Sequence, residues 1–314
     1  MLWRSVSAGY WSISTSTRAR LSHLVSVEGY RLPLWAWLVV GLAGAQVLLG
    51  LIGYLAGVPD RLPMPAAFQA LGMLLFSAVG LGLLIGARDD RRASYLGGLL
   101  VTIASALSLR GMQWLKPQLA VPQGLAFLWR GLLPEAFAVL FLWLFVREFP
   151  RVVRLSPLER PLTWGVRLAS GFGITAFLAN LGGAFLNPSQ PATAPVLGLL
   201  TRNHPWGLYW IGFFGPMLAA MTFALLRQRD ASQEERRRVR FLMGGLVMGI
   251  APMVLIVIAD YLTVLLGASG LLADRGRLLF FGSLVYASFM TVPVTAAYAV
   301  RAHRVFELKV RSRQ

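Results

Sequence analysis

The stretch RFLMGGLVMGIAPMVLIVIADYLTVLL (residues 240–266) shows the pattern that decides the fold. Between Arg240 and Asp260 it holds 19 residues without a charge, and nearly all of them are apolar. A helix that crosses the hydrocarbon core of a bilayer, about 30 Å thick, needs about 20 such residues. Because that core contains no water, backbone groups must pair within the helix. The stretch therefore predicts a transmembrane helix.

Seven further stretches carry the same pattern, and the third of the eight is the shortest. The eight lie at roughly 33–57, 66–87, 93–110, 124–147, 163–186, 206–227, 240–266 and 277–300. Composition agrees: 56% of the residues are hydrophobic and 14% are charged, with a mean hydropathy of +0.63. Globular domains carry about 25% charged residues. We expect an all-α, polytopic integral membrane protein with a bundle of about eight transmembrane helices.

Charge placement predicts the orientation of the bundle. If the N-terminus is cytoplasmic, the predicted inner segments hold 22 of the 30 Lys and Arg residues and the outer loops hold 6. Cationic loops resist translocation, so both termini should be cytoplasmic in a cell (inner or plasma) membrane. The chain then divides into a cytoplasmic tail (1–32), the transmembrane domain (33–300) and a basic connector (301–314). The net charge of +17 does not predict nucleic-acid binding, since the basic segments are short and scattered among spans.

The residues that enzymes and metal sites need are missing from the pattern. The chain has no cysteine, and its three histidines divide between the predicted inner side (His23, His303) and the outer side (His204). No histidine pair can therefore share a metal or serve a nucleophile. Zinc-protease, P-loop and serine-hydrolase motifs are also missing. We expect no enzyme active site, metal or other cofactor within these residues.

Ionisable groups inside predicted spans are the candidates for function, because each costs about 2.5–3.5 kcal/mol on insertion scales. They are Arg130 and Glu135 in the fourth span and Asp260 in the seventh; Arg167 in the fifth lies near enough to the inner face for its side chain to reach the interface and is set aside. Arg130 and Asp260 both lie in the outer half, so we expect them to pair. Glu135 would then need a polar partner, such as Asn180 of the fifth span, or would stay protonated.

Two interpretations of these groups remain open. In the first, Arg130, Glu135, Asp260 and Tyr261 line an outward-facing polar pocket that a ligand or proton can occupy. In the second, they form an interhelical ion pair that fixes the geometry of the bundle. Polar aromatic residues at the outer ends fit an interfacial belt at least as well as a binding site; they are Trp206, Tyr209 and Trp210.

Small residues and prolines indicate how the spans pack. Glycines four residues apart allow close helix contacts, within the chain by preference or with a second copy in a homodimer. These pairs are Gly53 and Gly57, Gly82 and Gly86, and Gly245 and Gly249. Prolines inside spans permit kinks. They are Pro134, Pro216, Pro252 and Pro293.

The end of the chain carries the most specific pattern. Residues 293–300 fit P-x-x-x-A-Y-A-[VI], and residues 304–308 (RVFEL) fit R-[LV]-F-[DE]-[ILV]. The start of the seventh span and Phe149–Pro150 agree more loosely. This ending resembles the multi-span N-terminal sensor module of bacterial transmembrane signalling proteins. These are the ComP-type sensor histidine kinases and the related cyclases and PP2C-type phosphatases.

The resemblance implies a function in signal transduction. The last span would pass a stimulus through a connector, which comprises Tyr298, Arg304, Phe306 and Glu307, to a cytoplasmic signalling domain or regulator. The phosphoacceptor and ATP-binding boxes of the histidine kinases do not occur in these residues, so we expect the input half only. A proton-coupled small-molecule or ion transporter that uses Glu135 and Asp260 is the alternative. A passive scaffold is the third reading.

Overall fold

The computed structural model describes residues 32–56, 66–86, 90–118, 129, 131–150, 158–186, 200–202, 208–267 and 274–302. Within these residues the regular secondary structure is helical and no β-strand occurs, which confirms the expected all-α class. Nine α-helices are described: α1 Leu34–Leu55, α2 Ala66–Gly86, α3 Arg91–Gln118, α4 Ala138–Glu148, α5 Glu159–Leu186, α6 Leu208–Arg227, α7 Gln233–Leu265, α8 Arg275–Phe289 and α9 Thr291–Ala302. Two 3₁₀ helices, Pro134–Phe137 and Gln228–Asp230, precede α4 and α7.

Six helical segments of the described part are long and apolar enough to cross a membrane, two fewer than the expected number of about eight. The chain is a multi-pass helical membrane protein. The six segments are Leu34–Leu55, Ala67–Gly86, Glu159–Gly183, Tyr209–Asp230, Gln233–Asp260 and Leu279–Ala299.

Two predicted spans lie outside this set. The stretch 93–110 belongs to α3, which carries hydroxyl groups at Thr102, Ser105 and Ser108. Each hydroxyl donates to a carbonyl of its own helix, at 2.6–2.9 Å. The stretch 124–147 is interrupted by the 3₁₀ helix that begins at Pro134, and α4 is only 11 residues long. Proline has no backbone N–H to continue an α-helical ladder.

The centre of the bundle is α3. Nearly every residue from Ala93 to Ser108 is buried, and α1, α2 and α4 pack around this stretch. Glycines allow the closest contacts. A Cβ added at Gly50 of α1 would lie 2.6 Å from Cβ of Ser108, and one added at Gly80 of α2 would lie 2.9 Å from the Gly97 carbonyl oxygen. These contacts leave no room for a larger residue at either glycine.

Helices α7 and α9 pack tightly through the predicted glycine pair. A Cβ added at Gly245 would overlap Thr295, and one added at Gly249 would overlap Val292. Both neighbours belong to α9, so this pair packs within the chain, as the sequence favoured. Gly82 differs, because nothing lies within 4 Å of a Cβ added there.

Prolines interrupt the helices at two of their four positions. The segment before α4 begins its 3₁₀ turn at Pro134, and a break at Met290 separates α8 from α9, three residues ahead of Pro293. Pro216 and Pro252 lie inside the continuous helices α6 and α7. A proline in these spans therefore permits an interruption without requiring one.

Segments predicted to be cytoplasmic meet at one end of the bundle, here called the arginine-rich end. Arg92, at the start of α3, bonds Asp90 at 2.7 Å and lies 3.6 Å from Glu235 at the start of α7. Arg227, at the end of α6, donates to the backbone carbonyl of Arg147 at the end of α4. These contacts join the start of α3 to the start of α7, and the end of α6 to the end of α4; each pair is distant in sequence.

Candidate functional site

Glu135 lies in the 3₁₀ helix before α4, and only 2% of its side chain is exposed. Its Oε1 atom is 2.5 Å from Nη1 of Arg202, with which it forms a salt bridge. Arg202 comes from the loop between α5 and α6, 67 residues away in sequence. The direct partner of Glu135 is therefore Arg202, and not Asn180 as the sequence suggested.

Arg202 is held by further hydrogen bonds. Its backbone N–H donates to Oδ1 of Asn180 at 3.0 Å, and its Nη2 donates to the carbonyl of Ala106 in α3 at 3.2 Å. Its guanidinium carbon lies 5.9 Å from the ring centre of Trp210 in α6. Asn180 therefore affects Glu135 only indirectly, by holding the backbone of Arg202 in place. The guanidinium joins α3, the 3₁₀ helix and α6.

In the irregular backbone before Glu135, a carbonyl group is hydrogen-bonded to a buried side-chain amide. Gln46 of α1 has no exposed surface, and its Nε2 donates to the carbonyl of Leu132. The N–H of Ala136 donates to the carbonyl of Leu133 at 3.1 Å. Non-helical backbone at membrane depth is tolerated only inside protein, where such partners are available.

A cavity of about 110 Å³ adjoins the ion pair and lies among α3, α6, α7 and α8. Glu135 and Arg202 form its charged wall, and most other walls are aliphatic or aromatic. These walls are Ile103, Ala106, Leu107, Tyr209, Trp210, Phe213, Phe214, Met217, Ile250, Met253, Val285, Tyr286 and Phe289. A largely apolar pocket with a few convergent polar groups is typical of a small-molecule site.

Two polar atoms of the cavity lining have hydrogen-bonding capacity to spare. Glu135 Oε2 and the Tyr209 hydroxyl are buried and have no hydrogen-bond partner within the described residues. Tyr209 lines the same cavity as Glu135 and Arg202. A buried polar atom left unpaired costs about 1–3 kcal/mol. The site therefore offers one open acceptor and one open donor.

Of the other predicted pocket residues, only Asp260 has a described side chain. Arg130 lies outside the described residues, so its pairing with Asp260 stays a prediction. Asp260 is half-buried on α7 and does not line the cavity, because it lies about two turns beyond Met253, or about 10 Å along the helix. Tyr261 belongs to α7, but its side chain is outside the described part.

The predicted connector is described only at its beginning. Tyr298, on α9, is 51% exposed, and its ring centre lies 5.1 Å from that of Phe241 on α7. Arg304, Phe306 and Glu307 fall outside the described residues.

Sequence reasoning missed Arg202 and the role of Tyr209. Arg202 is the only Lys or Arg in the outer loop 187–205. This single cation could have indicated the partner of the buried Glu135 carboxylate. The sequence left open whether Tyr209 and Trp210 belong to an interfacial belt or to a binding site; Tyr209 is fully buried, and both residues line the cavity. Trp206 is outside the described residues.

The arrangement is chemically one of binding: a matched ion pair, an open acceptor, an open donor and apolar walls. Among the residues that the structure describes, no cluster of three or more His, Cys, Asp or Glu side chains could hold a metal ion. Comparison of the chain with protein-family profiles, with curated proteins and with solved structures finds no match in any of the three.

Proposed function

We propose that the chain is a membrane-embedded sensory module that passes a stimulus from the Glu135 cavity through α9 to a cytoplasmic signalling domain or regulator. One observation carries the proposal. Phe289 lines the cavity and is also the last residue of α8, directly before the break at Met290. Whatever displaces Phe289 acts at the joint between α8 and α9.

The packing of α9 on α7 supplies a route for the signal. Ile250 and Met253 of α7 line the cavity, and Ile250 directly follows Gly249, which packs on α9. The cavity therefore borders both α7 and the joint that leads into α9. Close-packed interfaces tend to have discrete arrangements. A stimulus shifts their balance only if it binds two arrangements with different affinity.

The membrane arrangement that suits this function has both termini in the cytoplasm of a bacterial cell and eight crossings. In this arrangement α3 and the segment 131–148 cross the bilayer shielded by the six apolar helices. The length of α3 supports this proposal, since 28 residues span about 42 Å. Its polar side chains are tolerated because they are buried in the bundle. The meeting of basic segments at the arginine-rich end supports a cytoplasmic position for that end.

Cysteine cross-linking tests the coupling, since the chain has no cysteine of its own. Cysteines in place of Phe241 and Tyr298, whose rings are in contact, report the packing of α7 on α9. Glu135→Gln should change the oxidative cross-linking rate about fivefold or more, a common size for coupling between sites. Asp260→Asn is the matched control, since Asp260 does not line the cavity. Equal rates in the unmodified background, in Glu135→Gln and in the cavity-filling variant Ala106→Leu would refute the proposal.

A proton-coupled transporter is the second candidate, and the open oxygen of Glu135 favours it. A buried carboxylate with a free oxygen inside a membrane bundle is typical of proton relays. Proteoliposomes that contain a pH-sensitive dye would distinguish the two. Transport predicts protein-dependent proton flux that Glu135→Gln abolishes, whereas the sensory module predicts no such flux.

A further inference from the structure

We infer that the cavity binds a small, neutral aromatic molecule with one hydroxyl group, of which phenol is the simplest. The inference deepens the proposed function and rests on it for its biological meaning. Binding itself is open to direct test.

The size of the cavity fits a single ring. Its volume is about 110 Å³, and an engineered apolar cavity of about 150 Å³ binds benzene. One water takes about 30 Å³, so a single water would leave most of the space empty. Met217 and Met253 form part of the wall. Methionine is unbranched and adapts to irregular shapes, so these walls can adjust to a ring.

The polar wall fits one hydroxyl group. Arg202 already occupies Oε1 of Glu135, which leaves Oε2 as the open acceptor. A ligand hydroxyl can donate its hydrogen to Oε2 and accept one from the Tyr209 hydroxyl. Both open atoms would then be satisfied by one group. Hydrogen bonds to a carboxylate are stronger than those between neutral groups.

The charge and the walls restrict the ligand further. The Glu135 carboxylate is matched by Arg202, so the pair has no net charge to attract an ion. Phe213, Phe214 and Phe289 supply aromatic walls. Aromatic rings pack on one another in offset or edge-to-face arrangements. A neutral aromatic ring therefore fits better than an ion or a sugar.

The test compares phenol with toluene, which carries a methyl group in place of the hydroxyl. Equilibrium dialysis of the full chain in nanodiscs, with empty nanodiscs subtracted, separates binding from partition into lipid. We expect saturable binding of one phenol per chain, about tenfold or more tighter than toluene, since two hydrogen bonds distinguish them. No saturable excess, or equal affinities for the two, would overturn the inference and indicate a cavity filled by water or lipid chains.

Three variants locate the binding. Tyr209→Phe should weaken phenol about fivefold and leave toluene unchanged, because it removes one hydrogen bond and keeps the ring. Tyr298→Phe makes the same chemical change on α9, away from the cavity, and should alter neither. Ala106→Leu fills the cavity and should abolish both. If Ala106→Leu or Tyr209→Phe binds phenol as the unmodified chain does, the molecule sits elsewhere and the inference is wrong.

The outcome is separable from that of the proposed function. Phenol that binds as expected without changing the cross-linking of α7 to α9 contradicts the sensory proposal alone. A change in cross-linking on Glu135→Gln with no saturable phenol binding contradicts the ligand inference alone.

Discussion

Replacing Arg202 by methionine keeps much of the side-chain volume and removes the guanidinium from Glu135. The carboxylate is 2% exposed, so water cannot replace the lost partner fully. Breaking a buried ion pair by removing one member costs about 3–5 kcal/mol. The lower end applies here, because Arg202 is itself 22% exposed and an unpaired buried carboxyl can take up a proton. We therefore expect Arg202→Met to lower the free energy of unfolding by about 3 kcal/mol.

The double variant Glu135→Leu/Arg202→Met separates the contribution of the ion pair to stability from the contributions of its two residues. Apolar residues of similar volume in place of a buried ion pair are often neutral or stabilising. The double variant should therefore be more stable than Arg202→Met alone. The non-additive part of the cycle should fall within the 0.5–3 kcal/mol usual for residues in contact.

Unfolding of the purified protein in mixed micelles by a denaturing detergent, followed by tryptophan fluorescence, measures these differences. Arg167→Met is the matched control, because Arg167 is an exposed arginine of α5 that stacks on Trp164 at 5.2 Å. It should change stability by no more than about 0.5 kcal/mol. A cost for Arg202→Met no larger than that of Arg167→Met would refute the view that Glu135 depends on its partner.

The other predictions concern packing, backbone pairing and topology. Gly245→Ala should destabilise by about 1–3 kcal/mol, because the added methyl overlaps α9, while Gly82→Ala, with free space around it, should be neutral or stabilising in the same detergent titration. Gln46→Leu should cost about 1–3 kcal/mol by leaving a buried carbonyl before the 3₁₀ helix unpaired, and an unchanged midpoint would contradict that role. Cysteine in place of Leu55 should react with an impermeant maleimide added to intact cells, and cysteine in place of Arg229 only after permeabilisation. The reverse labelling pattern would show that the bundle has the opposite orientation in the membrane.

Much of the helical architecture follows from local signals. The run 240–266 predicted α7 because a continuous apolar stretch needs no information from elsewhere in the chain. The salt bridge between Glu234 and Arg238 at the start of α7 also follows from local spacing, because residues four apart lie on the same helix face. The tight packing at Gly245 and Gly249 likewise follows from small residues on one helix face.

The candidate site was less accessible to sequence reasoning. Hydropathy does not tell where an outer loop folds, so the approach of Arg202 to Glu135 could not be read from either segment alone. The sequence also left open whether the helix is interrupted at Pro134, because α6 continues through Pro216. The burial of Tyr209 depends on which face of α6 meets the bundle, and an aromatic cluster at a helix end does not reveal this.

The hydroxyls of α3 have a mechanical consequence. Thr102, Ser105 and Ser108 all bond to carbonyls of their own helix. These three hydroxyls are thus satisfied within α3 and do not tie it to α1 or α2. A slide of α1 or α2 along α3 breaks none of these bonds, so the steric fit of the packed side chains, including the close contacts at Gly50 and Gly80, must resist it.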